Sequence, residues 1–134
     1  MTLDAAHAGY LASHSQGRLA TIAPDGTPQN KPVGYRYNSE LGTIDIAGMN
    51  MERSAKYRNV AIHPDVAFVI DDATGEGAAG MRFIEVRGRA SQAEEPAAHP
   101  HLSSHLIRIH PRRIVSWNID PARPGLQARD LSGT

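Results

Sequence analysis

Residues 18–37 read Arg18-Leu19-Ala20-Thr21-Ile22-Ala23-Pro24-Asp25-Gly26-Thr27-Pro28-Gln29-Asn30-Lys31-Pro32-Val33-Gly34-Tyr35-Arg36-Tyr37. Two extended runs, 18–23 and 29–37, are separated by Pro24, Asp25, Gly26 and Thr27. Asp-Gly in that place suits the positive φ of a tight hairpin turn, so two antiparallel strands are predicted. On the second strand Val33, Tyr35 and Tyr37 share one face by the two-residue period, with Gly34 and Arg36 on the other. Gly34 lets another group approach the backbone closely.

Working outward, residues 38–42 form the next turn, and 43–48 a third strand with Ile44 and Ile46 on one face. The alternation stops at 54–62, where Ala55, Tyr57, Val60 and Ala61 fit a short crossover helix ended by His63-Pro64-Asp65. Residues 66–70 and 82–90 read as strands four and five, joined by a Gly/Ala-rich loop over 73–80. After a loop over 94–104, alternation resumes over 106–117, with Pro111 marking a bulge or an edge. At the start, Leu3, Ala6, Tyr10 and Leu11 predict a helix over 2–12, capped by Thr2, that lids one end of the sheet. The result is a mainly β fold, a six-stranded antiparallel barrel with short flanking helices. Residues 1–119 make this single domain, and 120–134, rich in Pro, Gly, Arg and Asp, form a tail that is free or wraps a partner.

Composition narrows the function. A chain of 134 residues supports one core. Lys plus Arg and Asp plus Glu balance at 14 each, so no overall field draws the protein to nucleic acid or an anionic membrane, and any anion site is local. The absence of cysteine excludes disulfides and thiol chemistry and suits a reducing compartment. No secretory leader or bilayer-spanning segment is recognised, which makes the cytoplasm the expected location.

The stretch Gly48-Met49-Asn50-Met51-Glu52-Arg53-Ser54-Ala55-Lys56-Tyr57-Arg58-Asn59 joins a strand end to a helix start. Free backbone N–H groups and the positive end of the helix dipole converge at such a junction. Arg53, Ser54 and Lys56 add a fork, a hydroxyl and a point charge, which together suit a phosphate. The same residues also suit a plain Ser54 cap beside a solvated basic face. Gln29, Asn30, Lys31 and Pro32 could offer amide and backbone contacts to a planar ring, or form an ordinary sheet edge. His99, His101, His105 and His110 lack the spacing and acidic partners of a metal site, and no metal is expected. Trp117 either seals the core or an interface or touches a cofactor. No nucleophile elbow, Walker loop or dinucleotide fingerprint is present.

Several strings together resemble the pyridoxamine 5′-phosphate oxidase-like split barrels, and within them the deazaflavin-dependent branch. They are Gly17-Arg18-Leu19-Ala20-Thr21, Pro32-Val33-Gly34, Leu41-Gly42-Thr43-Ile44-Asp45-Ile46, Ser54-Ala55-Lys56-Tyr57-Arg58-Asn59-Val60, Ile84-Glu85-Val86-Arg87-Gly88 and Ile109-His110-Pro111-Arg112-Arg113-Ile114-Val115-Ser116-Trp117. They look most like the subgroup that includes reductases of tetracycline-type antibiotic biosynthesis. The resemblance implies a homodimer with two cofactor sites at the subunit interface, and coenzyme F-420 more than FMN. It implies cofactor contacts from Pro32, Val33 and Met49 near the ring and from Arg53, Ser54 and Lys56 at the phosphate. Met81, where the subgroup would offer a bulkier or aromatic approach, and the compact segment 94–104 depart from the pattern, so the substrate pocket is expected to differ.

The implied chemistry is hydride transfer to an activated double bond of a planar organic substrate. No catalytic residue is assigned, although Tyr35, Tyr37, Tyr57 and Arg36 are candidate proton donors. Two other readings stand beside it: an FMN-dependent oxidoreductase on the same barrel, and a non-catalytic module that holds a cofactor, haem or tetrapyrrole. Neutral overall charge and few phenylalanines set a nucleic-acid barrel aside.

Overall fold

The computed structural model describes residues 3–75 and 77–131. Helix α1 (Ala5–Ala12) is capped by Asp4, whose Oδ1 accepts the His7 amide at 2.9 Å, while the expected cap Thr2 lies outside the described residues. The hairpin forms as predicted from β1 (Gln16–Ile22) and β2 (Pro28–Gly34), with Gly26 at φ +89° in the turn. Then follow β3 (Arg36–Asn38), β4 (Thr43–Ile46), a 3-10 turn (Met51–Arg53), α2 (Ala55–Ile62) and β5 (Asp65–Ala73). A single helical turn, α3 (Gly77–Gly80), precedes the long β6 (Met81–Glu94) and β7 (His105–Trp117), and β8 (Leu126–Asp130) comes last.

All neighbouring strands pair antiparallel, in the order β2-β1-β5-β6-β7-β4-β3, with β8 also on β7. The two ends of this path, β2 and β3, are separated in sequence by Tyr35 alone. Consecutive Cα atoms are about 3.8 Å apart, so the sheet must roll until its edges nearly meet. It is a barrel joined at the seam by the chain, with no ladder closing it.

The eight strands differ from the predicted six at two points. The run 29–37 breaks at Tyr35, whose amide donates to Ser15 O at 3.0 Å and whose hydroxyl donates to Leu11 O at 2.5 Å. The segment after 119 carries β8, paired with β7 from Arg113 to Trp117, and the Leu131 amide donates to Arg112 O at 2.7 Å. Leu131 is buried, so this part of the expected tail is docked on the barrel.

Leu19, Phe68, Ile70, Ile84, Val86, Ile44, Ile46, Ile107 and Ile109 are almost wholly buried inside the barrel, and Leu11 closes one end from α1. Burying each large side chain contributes about 1.5–3 kcal/mol. Pro111 marks a bulge, as its position suggested: Gly88 pairs with Pro111 and Arg87 with Arg113, leaving Arg112 as the extra residue. A Cβ at Gly88 would lie 2.3 Å from His110 O, which is why no side chain fits there. The bulge lies between the stretches of β7 that pair with β4 (Ile107–Ile109) and with β8 (Arg113–Trp117). Among the described residues, no helix is long and apolar enough to cross a membrane.

Candidate functional site

The chain leaves β4, turns at Asn50 with φ +53° and buries Met51 under the barrel rim. Ser54 then caps α2: its Oγ accepts the Tyr57 amide at 3.3 Å and donates to Met51 O at 2.7 Å. The hydroxyl is thereby committed to the helix, whereas the Ala55 and Lys56 amides head it without intrahelical acceptors. One turn later the Asn59 side-chain Nδ2 donates to Thr21 Oγ1 at 3.0 Å and to Gln29 Oε1 at 2.8 Å, clamping α2 onto the β1–β2 hairpin.

That clamp brings Lys31 to the site. Gln29 and Lys31 are two residues apart on β2 and share a face, and Lys56 is one turn before Asn59. Burial and the neighbouring Lys31 ammonium both hold the Lys56 pKa below the ordinary lysine value. Neither lysine side chain has an ion-pair or hydrogen-bond partner among the described residues. Glu52, the nearest acid in sequence, is turned aside: its carboxylate accepts from Ser103 Oγ at 3.0 Å and lies 3.8 Å from His105 Nε2. Two cations without a carboxylate partner near a helix head are chemically suited to an anion.

Of the six residues expected at a cofactor, Arg53, Ser54 and Lys56 fall within four positions at this junction. Pro32 is exposed on β2 and Met49 is 73% exposed beyond β4. The Val33 side chain is buried in the core, so this residue can offer a ring only its backbone. Lys31 was not singled out for the phosphate, because its place beside Lys56 depends on the tertiary clamp made by Asn59.

Beyond Gly34 lies a cleft of about 360 Å³ between β3, β4 and the β6–β7 loop, walled by Gly34, Arg36, Ala47, Pro96, Ala98 and Leu102. Its floor is Asp45, 5% exposed. Arg108 grips that carboxylate with both arms, Nε–Oδ1 3.0 Å and Nη2–Oδ2 3.1 Å, while Thr43 Oγ1 donates at 2.8 Å and Asn38 Nδ2 at 3.0 Å. Burial alone would raise the Asp45 pKa, but these hydrogen bonds and the Arg108 charge outweigh it and hold it low. Arg108 also donates to Glu95.

The candidate proton donors are mostly occupied. Burial pushes Tyr35 up to about 12, and its hydroxyl is committed to Leu11 O. Burial also raises Tyr37. The Tyr57 hydroxyl bonds His105 Nδ1 at 3.1 Å. Elsewhere, Asp4 Oδ1, His7 and Ser116 Oγ form a chain with 2.8 Å at each link, the connectivity of a nucleophilic triad. Ser116, however, sits in mid-strand between β6 and β8, where ladder pairing leaves no amide pair free to bind an oxyanion. Its role is to tether α1.

The class defined by this rolled, chain-closed antiparallel sheet is the split β-barrel. The sequence model of the family described as "Pyridoxamine 5′-phosphate oxidase" matches residues 3–131, and the chain belongs to that family. It is 41% identical, over 92% of its length and 89% of the relative's, to 5a,11a-dehydrotetracycline/5a,11a-dehydrooxytetracycline reductase of Streptomyces rimosus. Among solved structures, a conserved hypothetical protein of Mycobacterium tuberculosis superposes with a TM-score of 0.72 at 24% identity, covering 100% of this chain and 94% of the other. An F420 reductase superposes with a TM-score of 0.58 at 24% identity, covering 78% of this chain and 93% of the other.

Proposed function

We propose that this protein is an oxidoreductase that binds coenzyme F-420 and reduces an activated double bond in a planar organic substrate. The observation that carries the reading is the uncompensated Lys31–Lys56 pair at the head of α2, whose charge and amides fit a phosphate group. The 41% identity to a reductase supports the reaction type.

Lys31, Lys56 and Arg53 would hold the phosphate, and the exposed face of β2 from Pro32 to Gly34 would lie along the ring. When bound, a reduced deazaflavin supplies a hydride, which the acceptor takes at one carbon while a proton reaches the other. The chain's own contribution is placement and exclusion of water: a cleft with a mainly apolar lining adjoins the ring position at Gly34 and Ala47. We also propose a homodimer that completes the site, since Pro32 and Met49 stand open to solvent in the single chain.

The test is anaerobic mixing of the protein with reduced coenzyme F-420 and a polycyclic enone, followed by the absorbance of the oxidised deazaflavin. Protein-dependent recovery of that absorbance is expected. No recovery, together with tight FMN binding in a parallel titration, would replace this reading with a flavin enzyme.

A further inference from the structure

We propose that Glu52 is a built-in competitor for the anion at the head of α2, and that Ser103 and His105 are positioning residues that hold it aside. This rests on the reading above that Lys31 and Lys56 receive an anion, and it adds the part of the fold that keeps their place open.

The position of Glu52 comes first. It lies in the turn Met51–Arg53, two residues before the Ser54 cap and four before Lys56. A carboxylate there is attracted by the positive end of the helix and by both ammonium groups. Its side chain is 40% exposed, so packing alone does not keep it from them.

What holds it is the loop over 95–104. Glu52 Oε2 accepts from Ser103 Oγ at 3.0 Å and lies 3.8 Å from His105 Nε2. Ser103 is itself fixed twice more: its amide donates to Gly48 O at 3.0 Å, and its hydroxyl accepts the His105 amide at 3.0 Å. The His105 ring is fixed as well, with Nδ1 3.1 Å from both the Tyr57 hydroxyl and Glu94 Oε1. The Ser103 hydroxyl is thus aimed at the carboxylate by bonds made to other parts of the chain. The His105 contact is long and partly exposed and contributes little, which leaves Ser103 as the main tether. Released, Glu52 would compete with a bound anion from within the same turn, at the high effective concentration of a tethered group.

The test first reads Lys56 without any ligand. Lys31 and Lys56 are the only lysines in the sequence, so protein made with isotope-labelled lysine gives two NMR signals to follow through a pH titration, assigned with Lys31→Arg. Ser103→Ala should raise the Lys56 midpoint, because a carboxylate brought near an ammonium favours its charged form. Ser103→Ala with Glu52→Gln should return the midpoint to the wild-type value, and Ser103→Thr, which keeps the hydroxyl, should leave it there. Glu52→Gln alone, which removes no packing, should not move it either. The same proteins are then titrated with coenzyme F-420. Ser103→Ala should bind about tenfold more weakly, and adding Glu52→Gln should restore affinity to within about twofold of Glu52→Gln alone. An unmoved Lys56 midpoint in Ser103→Ala, a shift that persists after Glu52→Gln is added, or a midpoint lowered by Glu52→Gln alone overturns the proposal. A Glu52-dependent midpoint shift in proteins that do not bind coenzyme F-420 would instead overturn the cofactor reading alone.

Discussion

Lys56, in the first turn of α2, carries its charge against both partial burial and the field of Lys31 on β2, and no carboxylate among the described residues answers either ammonium. Such a pair is a cost to the empty protein and an asset to one holding an anion. Because Lys56 binds its proton less tightly in the fold than in the unfolded chain, its contribution to stability rises as pH passes from the folded pKa to the unfolded one. Lys56→Met should therefore stabilise the protein without ligand at neutral pH, by roughly 0.5 kcal/mol. Thermal melts with inorganic phosphate check the other half: phosphate should raise the wild-type midpoint and leave the variant where it was.

Asp45 should prove the most costly acid to remove. Asp45→Ala strips the half-buried Arg108 of its bidentate partner and leaves the Thr43 and Asn38 donors without an acceptor. Breaking a buried pair in this way costs about 3–5 kcal/mol. Urea unfolding monitored by circular dichroism reads this directly, and a loss below about 1 kcal/mol would mean that the network contributes little.

Asp72 gives the acid side of the stability profile. Its carboxylate takes Arg82 Nε at 2.9 Å and Nη2 at 2.6 Å, with Tyr10 and His14 from the lid region also bonded to it. The Arg82 hydrogen bonds, only partly opposed by burial, hold Asp72 down to about 2. A depressed carboxylate stabilises above its unfolded value near 3.9 and loses that contribution as pH falls towards the folded one. Asp72→Asn should lose about 1–3 kcal/mol at pH 7, and the difference should vanish near pH 2. Denaturant melts at the two pH values decide it.

Gly88→Ala tests the bulge. The added methyl meets backbone atoms of His110 and Pro111, which cannot rotate away as a side chain would. A loss of about 1–3 kcal/mol is expected. Gly34→Ala, with open space around its Cβ, should melt within a degree or two of the wild type, a shift worth about 0.5 kcal/mol.

The hairpin, the crossover helix and the strand alternation were legible because each rests on a local rule: Asp25-Gly26 demands a turn, Pro64 ends a helix, and period two marks a half-buried strand. What was missed depends on distant parts of the chain. Leu126-Gln127-Ala128-Arg129-Asp130 is polar and mostly exposed, and becomes β8 only because β7 offers an edge. The break at Tyr35 is set by Ser15 and Leu11, which no pattern within 29–37 reveals. Arg53, Ser54 and Lys56 stood out because strand-to-helix junctions have a chemistry of their own. Lys31 did not, since its meeting with Lys56 is decided by how Asn59 docks on Gln29. The ion network on Asp45 escaped for the same reason, as Arg36, Glu95 and Arg108 converge only in the folded barrel.

The central claim, that Lys31 and Lys56 together hold the cofactor phosphate, is tested most directly by titrating coenzyme F-420 calorimetrically into wild type, Lys31→Ala, Lys56→Ala and the double variant. Each single change should cost about tenfold in affinity, with coupling between the two of at least about 0.5 kcal/mol, as expected of residues sharing one ligand group. A double variant that binds coenzyme F-420 as tightly as wild type would contradict the account.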